Sequence, residues 1–259
     1  MTTDAIDTAA LDRALERLAA TERLLIALDF DGTLSPIVPR PEEARALPEA
    51  DEALQALVAA PDTTVVLVSG RSMASLEHVS GSPAHVLLVG SHGAEVKDDD
   101  GVHVELDDDE RGRREALHRA LESAVADHDG VWVEGKPAGF AVHTRRASDE
   151  AASAARAAAR SAVEGIDGLT EREGKGVLEF AVKATSKGDS LRTLRESTGA
   201  TGVLFAGDDV TDEDGFAVLG EGDLGLKVGP GETAAAYRVD DPAAVAGLLA
   251  RLAALRAAR

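Results

Sequence analysis

Short apolar runs, each ending in small or acidic residues, recur along this chain. Residues 24–28 (Leu-Leu-Ile-Ala-Leu), 63–68 (Thr-Thr-Val-Val-Leu-Val), 86–89, 202–206 and 224–228 have the length and apolar character of buried strands. Helical periodicity lies between them. Leu11, Leu15 and Leu18 predict an amphipathic helix over 8–20, and further helices are expected over 49–60, up to about residue 79, and over 187–197, 212–219 and 242–257. Strands that alternate with helices imply βαβ units and a parallel sheet, whose ligands bind outside the carboxyl ends of the strands. Asp31, Ser69 and His92 all fall at such ends.

The middle of the chain has a different rhythm. A polar helix over 110–127 precedes short strands at 131–133 and 139–144. An Ala-rich helix at 149–163 then precedes strands at 168–172 and 176–182. This helix–strand–strand order, met twice, predicts a small α+β layer inserted into the parallel domain. The expected division is a core of residues 1–106 and 184–259 and an insert of 107–183.

Composition narrows the function. With 259 residues and 44% hydrophobic content the chain can bury a sizeable core, and no apolar run approaches the length of a membrane span. The N-terminal Met-Thr-Thr-Asp-Ala-Ile-Asp lacks the basic and apolar segments of a secretory signal, so a cytoplasmic setting is expected. The absence of cysteine excludes disulfides, thiolate zinc sites and a Cys nucleophile, which leaves oxygen or imidazole ligands for any metal. A net charge of −20, from 27 Lys and Arg against 47 Asp and Glu, argues against nucleic-acid and anionic-membrane partners. Most of those acids, including 98–100 and 107–110, read as a solvated face, and the surplus would also suit a salty cytosol.

Asp29 and Asp31 follow the first apolar run. Alternation along an extended chain points both carboxylates one way and Phe30 the other, so two acids would share one space that favours a proton or Mg²⁺ between them. Gly32 permits the tight turn that follows. An EF-hand fails here, because position 12 would be Arg40. A second acidic cluster, Gly207-Asp-Asp-Val-Thr-Asp-Glu-Asp-Gly215, follows another strand. An EF-hand fails there too, since position 1 would be Val210. Asp208 and Asp209 read as metal ligands reaching the crevice of Asp29, with Asp212 in support. The Ser69 hydroxyl, with neighbouring amides, suits phosphate oxygens, although a helix cap accounts for it equally. Gly220 to Gly225 match a dinucleotide fingerprint as a bare pattern, but they follow a helix and precede a strand, the reverse of the required context.

Taken together, Asp29-Phe-Asp-Gly-Thr33, Ser69-Gly-Arg71, Lys187 and Gly207-Asp-Asp209 resemble the four motifs of the haloacid dehalogenase superfamily. More narrowly, residues 29–36, Gly90-Ser-His-Gly-Ala-Glu95, Gly174-Lys-Gly-Val-Leu-Glu-Phe180 and 207–214 resemble trehalose-6-phosphate phosphatases over nearly the whole chain from about residue 22. The resemblance implies a Rossmann-like core with an inserted cap. It implies that Asp29 is the nucleophile and Asp31 the acid and base, with Mg²⁺ held by Asp29, the main-chain oxygen of Asp31 and Asp208. Ser69 and Lys187 would stabilise the transferring phosphoryl group. It also implies substrate contacts from Thr33, Gly70, Arg71 and His92 in the core, and from Glu134, Lys136, Arg145, Lys175 and Glu179 in the cap. The implied substrate is a sugar phosphate, with a functional link to a trehalose-6-phosphate synthase. A phosphatase for another sugar phosphate and a non-catalytic phosphosugar sensor are the competing expectations.

Overall fold

The computed structural model describes residues 8–81, 84–98, 101–104, 106–174, 176–183 and 185–259. In chain order the first elements are α1 (Thr8–Ala19), β1 (Leu24–Leu28), α2 (Pro48–Val58), β2 (Thr63–Val68), α3 (Met73–Ser80), β3 (Leu87–Gly90), β4 (Glu95–Asp98) and β5 (Gly101–Val104). Then follow α4 (Asp108–Val125), β6 (Trp132–Lys136), β7 (Gly139–His143), α5 (Asp149–Val163), β8 (Thr170–Gly174) and β9 (Val177–Ala181). The chain closes with α6 (Lys187–Thr198), β10 (Gly202–Gly207), α7 (Glu213–Phe216), β11 (Leu224–Val228), β12 (Tyr237–Val239) and α8 (Pro242–Ala257).

The apolar runs form the centre of an eight-stranded sheet of order β12-β11-β10-β1-β2-β3-β4-β5, parallel from β12 to β3, with β4 antiparallel to β3. Residues of β1, β10 and β11 are buried throughout, as strands covered on both faces must be. On one face Leu28, Leu204 and Leu226 pack with Leu15 of α1, Leu57 of α2 and Leu249 of α8. On the other, Ala27, Val66 and Phe205 pack with Leu191 and Leu194 of α6 and Phe216 of α7. The strand that follows β1 in the chain, β2, lies on one side of it and β10 lies on the other. The connections therefore diverge at the carboxyl end of β1, the kind of switch point where open α/β sheets bind ligands.

The chain divides into two compact units, one running to His103 and resuming at Thr185–Arg259, the other Val104–Ala184. The second unit has its own antiparallel sheet of order β6-β7-β9-β8. Phe140, Val142, Leu178 and Phe180 on one face of that sheet pack with Leu117 and Leu121 of α4 and Ala159 and Val163 of α5.

Three strands escape the periodicity reading. Two of them, β4 (Glu-Val-Lys-Asp) and β12 (Tyr-Arg-Val), are short and polar, and β5 and β12 end the sheet, where charge is favoured over apolar alternation. The helix expected over 212–219 is shorter. A 3-10 turn at Val210–Asp212 leads into four residues of α7, and Val218 and Leu219 then bond to carbonyls only three residues back. No helix among the described residues is long and apolar enough to cross a membrane.

Arg256 near the end of α8 ties the sheet's amino-terminal edge together. Its buried guanidinium donates to the carbonyls of Ala19, Thr21, Pro61 and Asp62 and to Thr63 Oγ1. Arg256→Met would leave those acceptors without their charged donor, so a loss of about 2–4 kcal/mol is expected in urea unfolding. A change below about 0.5 kcal/mol would show that water replaces the guanidinium at no cost.

Candidate active site

The backbone brings the acids together. At the end of β1, the Asp29 amide donates to the carbonyl of Ala206 in β10 (2.9 Å), so the chain leaves both strands at one level. Asp29 is 5% exposed. Its Oδ1 accepts from Lys187 Nζ at 2.7 Å, and the same ammonium donates to Asp212 Oδ1 at 2.6 Å. Lys187 is the first residue of α6, whose start is fixed by a capping box between Ser186 and Asp189. Side-chain oxygens of Asp29, Asp208 and Asp212 lie within 4.8 Å of one another.

Two placements differ from expectation. The Asp31 carboxylate does not join that cluster, because β1 ends at Leu28 and strand alternation does not extend to Asp31. It is held instead by a bidentate pair from Arg71, Nε to Oδ2 at 2.5 Å and Nη2 to Oδ1 at 2.6 Å. Asp209, expected as a metal ligand, is also outside the cluster. Its exposed carboxylate accepts from the Thr211 amide and hydroxyl, both at 2.7 Å, and caps the 3-10 turn. Gly32 has φ +78, and a Cβ there would stand 2.0 Å from Asp208 Oδ2, so the close approach of Asp208 needs glycine as much as the turn does.

The loops after β2 and β3 are tied to each other. The Ser91 amide donates to the Arg71 carbonyl (2.6 Å) and the His92 amide to the Ser69 carbonyl (3.0 Å), with Ser91 and His92 both left-handed at φ 50 and 55. The His92 ring covers Gly70, where a Cβ would sit 2.5 Å from Cε1. Buried Ser69 accepts from the Arg71 amide at 3.2 Å. Glu95 supports this arrangement, accepting from the Met73 amide at the start of α3 and from Ser91 Oγ, both at 2.8 Å. Thr33 is fully buried, and its hydroxyl has no partner among the described residues.

In the second unit, register places Glu134 of β6 opposite Ala141 of β7, and Ala141 opposite Glu179 of β9. Glu134, Lys136, His143 and Glu179 therefore share the sheet face opposite the one packed on α4 and α5. Glu134 joins Lys136 Nζ at 2.9 Å and His143 Nε2 at 2.5 Å, and Trp132 stacks on His143. Burial opposes ionisation of Glu134, yet Lys136 and His143 hold its carboxyl below the usual range. Exposed Arg145 lies just beyond β7, against Gly176. Lys175 lies outside the described residues.

A model of the trehalose-phosphatase family matches residues 27–243. The chain belongs to the trehalose-phosphatase family. It is thereby placed among the phosphoric monoester hydrolases. It is 33% identical to the trehalose-6-phosphate phosphatase of Escherichia coli over 82% of this chain and 79% of that one. It is 34% identical to a bifunctional trehalose-6-phosphate synthase/phosphatase of Thermoproteus tenax over 93% of this chain, and spans about a third (33%) of that longer relative. Among solved structures, an Aspergillus fumigatus trehalose-6-phosphate phosphatase is similar at a TM-score of 0.72 and 27% identity, with 98% of this chain and 99% of that one covered. A haloacid dehalogenase-like hydrolase of B. subtilis is similar in fold at a TM-score of 0.56 and 17% identity, with 87% of this chain and 98% of that one covered, in keeping with the α/β fold expected from the motifs.

Within this trehalose-phosphatase family member, burial, then repulsion from Asp212 and Asp208, pushes the Asp29 carboxyl up to about 8 despite Lys187. Burial and the charges of Asp212 and Asp209 push Asp208 up to about 6. Burial alone would lower the Lys187 ammonium, but Asp29 and Asp212 raise it above the usual range. The folded state thus binds protons on Asp29 and Asp208 that the unfolded chain, with a carboxyl near 3.8, has already released. Without a cation, these groups cost stability as pH rises from about 4 through 6 and 8. A divalent cation needs both groups ionised, so its stabilising shift in Tm is expected to grow from pH 5.5 to pH 8.5. An equal shift at both pH values in differential scanning fluorimetry would contradict that placement.

Neither Glu95 as a loop support nor Lys227, whose buried ammonium donates to the Asp208 carbonyl, is among the site residues expected from the sequence. The signal for Lys227 was a lone lysine inside the apolar run 224–228.

Proposed function

We propose that this chain is a Mg²⁺-dependent phosphatase that converts trehalose 6-phosphate to trehalose and phosphate through an aspartyl-phosphate on Asp29. The observation that carries this reading is the buried Asp29–Lys187–Asp212 arrangement at the carboxyl ends of β1 and β10, with Asp208 beside it. Lys187 orients one oxygen of Asp29, which leaves the other for attack on phosphorus. Asp31, its orientation fixed by Arg71, then protonates the departing sugar oxygen and afterwards takes a proton from the water that hydrolyses the acyl phosphate. Ser69 and Lys187 donate to the phosphoryl oxygens.

Three clustered carboxylates form an all-oxygen donor set that fits a hard divalent cation, with Asp29, Asp208 and Asp212 holding it. When bound, Mg²⁺ would supply positive charge that offsets repulsion between nucleophile and phosphate. In the second unit, the face bearing Glu134, Lys136 and Glu179, together with Arg145 and Lys175, is proposed as the sugar-contacting surface. Its carboxylates accept hydroxyl protons and its cations donate. The Thermoproteus tenax relative is named as both synthase and phosphatase, which supports a functional link between this chain and a trehalose-6-phosphate synthase.

Phosphate release from trehalose 6-phosphate, sucrose 6-phosphate, glucose 6-phosphate and p-nitrophenyl phosphate, each with Mg²⁺ and with EDTA, tests the reading. Metal-dependent turnover strongest on trehalose 6-phosphate is expected. Preference for another sugar phosphate would keep the core chemistry and overturn the substrate, and no turnover on any would favour a sensor. Glu134→Gln is expected to raise KM for trehalose 6-phosphate about tenfold, as loss of a charged hydrogen bond predicts, and to leave KM for p-nitrophenyl phosphate unchanged. Equal effects on both would remove Glu134 from the sugar site.

A further inference from the structure

Two lysines are buried among the described residues, Lys187 and Lys227, and only the first has a task in the chemistry above. Lys227 is 3% exposed in β11, where every other residue is apolar or glycine. Its neighbours Leu226 and Val228 enter the core beneath α1, α2 and α8, so its side chain leaves the sheet on the opposite face. In register it stands beside Gly207, the residue before Asp208. Its Nζ donates to the main-chain carbonyl of Asp208, and among the described residues no carboxylate lies within ion-pair distance of it. An ammonium in a covered strand is costly unless it is compensated, and any apolar side chain would satisfy β11.

The carbonyl it holds is where the chain leaves β10 for the 3-10 turn that carries Asp212. Two of the three clustered carboxylates, Asp208 and Asp212, thus hang on a segment whose first peptide is pinned by Lys227. We propose that Lys227 is a positioning residue of the divalent-cation site: it fixes the Asp208 peptide so that the Asp208 and Asp212 carboxylates stay beside Asp29, and its charge offsets their mutual repulsion. This rests on the reading that Asp29, Asp208 and Asp212 hold a divalent cation.

The test is Mn²⁺ binding, followed by electron paramagnetic resonance of the free ion, to the full-length parent and to Lys227→Met, with circular dichroism and Tm in EDTA measured alongside. A folded Lys227→Met with at least tenfold weaker Mn²⁺ binding is expected. At saturating metal its KM for trehalose 6-phosphate should stay within about threefold of the parent's, and Lys227→Arg should recover most of the affinity. A role confined to stability would lower Tm in EDTA and leave Mn²⁺ affinity, measured well below Tm, unchanged. Affinity within twofold of the parent in a folded Lys227→Met would overturn the proposal. If that variant does not fold, Lys227→Gln carries the same measurement and the same threshold. A parent that binds no Mn²⁺ would instead remove the cation-site reading itself.

Discussion

Asp29→Asn is expected to lower kcat for trehalose 6-phosphate by at least about 10⁴-fold, the scale of losing a covalent nucleophile. The amide keeps the volume and an oxygen for Lys187 to donate to, so substrate binding is expected to persist within a few-fold. Stability at pH 8 without metal should not fall. Burial pushes the native carboxyl up to about 8, so its ionisation costs the folded state free energy that the neutral amide does not. Calorimetric titration with trehalose 6-phosphate and rapid-quench phosphate release separate the two effects. Full turnover by Asp29→Asn would remove the assigned nucleophile, and lost binding would make the residue a ligand contact instead.

Lys187→Met carries the second large effect. The native ammonium stands between two buried carboxylates at 2.7 and 2.6 Å. Without it, Asp29 and Asp212 face each other unpaired, a change expected to cost about 3–5 kcal/mol. The loss of a donor to the transferring group should also lower kcat by about 10²–10³-fold. The destabilisation has a signature. Protonation or a divalent cation relieves the same repulsion, so the deficit in urea unfolding should shrink from pH 8 to pH 5, and should shrink at pH 8 when Mg²⁺ is added. A deficit independent of pH and cation would mean that packing of the lysine stem, and not charge, explains the loss.

How far the chain could be read follows from what each element depends on. The central strands were legible because burial on both faces demands continuous apolar runs, as in residues 24–28 and 224–228. The site's location followed, since strand ends in such a sheet converge. Side-chain direction was not legible beyond the strand. Asp31 lies past the end of β1 and turns to Arg71, 40 residues further along the chain, a partner no local period reveals. Asp209 reads like Asp208 in the sequence, yet the 3-10 turn commits its carboxylate to Thr211. The strand β12 hides because it is a short, polar edge strand, and β4, inside the sheet, because four residues of Glu-Val-Lys-Asp give no apolar run.

Lys227 shows the converse case. A charge within an apolar run announces a partner, but only the fold places that partner, the Asp208 carbonyl on the neighbouring strand. In the second unit, periodicity located both helix–strand–strand segments. Cross-strand register was needed to put Glu134 and Glu179 on one sheet face.

In the proposed mechanism Asp29 carries the phosphoryl group during hydrolysis of trehalose 6-phosphate. The most direct test of this step is to mix enzyme, Mg²⁺ and trehalose 6-phosphate, quench within milliseconds, reduce with borohydride and map the protein by mass spectrometry. An acyl phosphate is reduced to an alcohol under these conditions whereas a free carboxylate is not, so the mass change of reduction is expected at Asp29 alone and is expected to be absent with EDTA. Reduction at another carboxylate, or none while phosphate is being released, would contradict it.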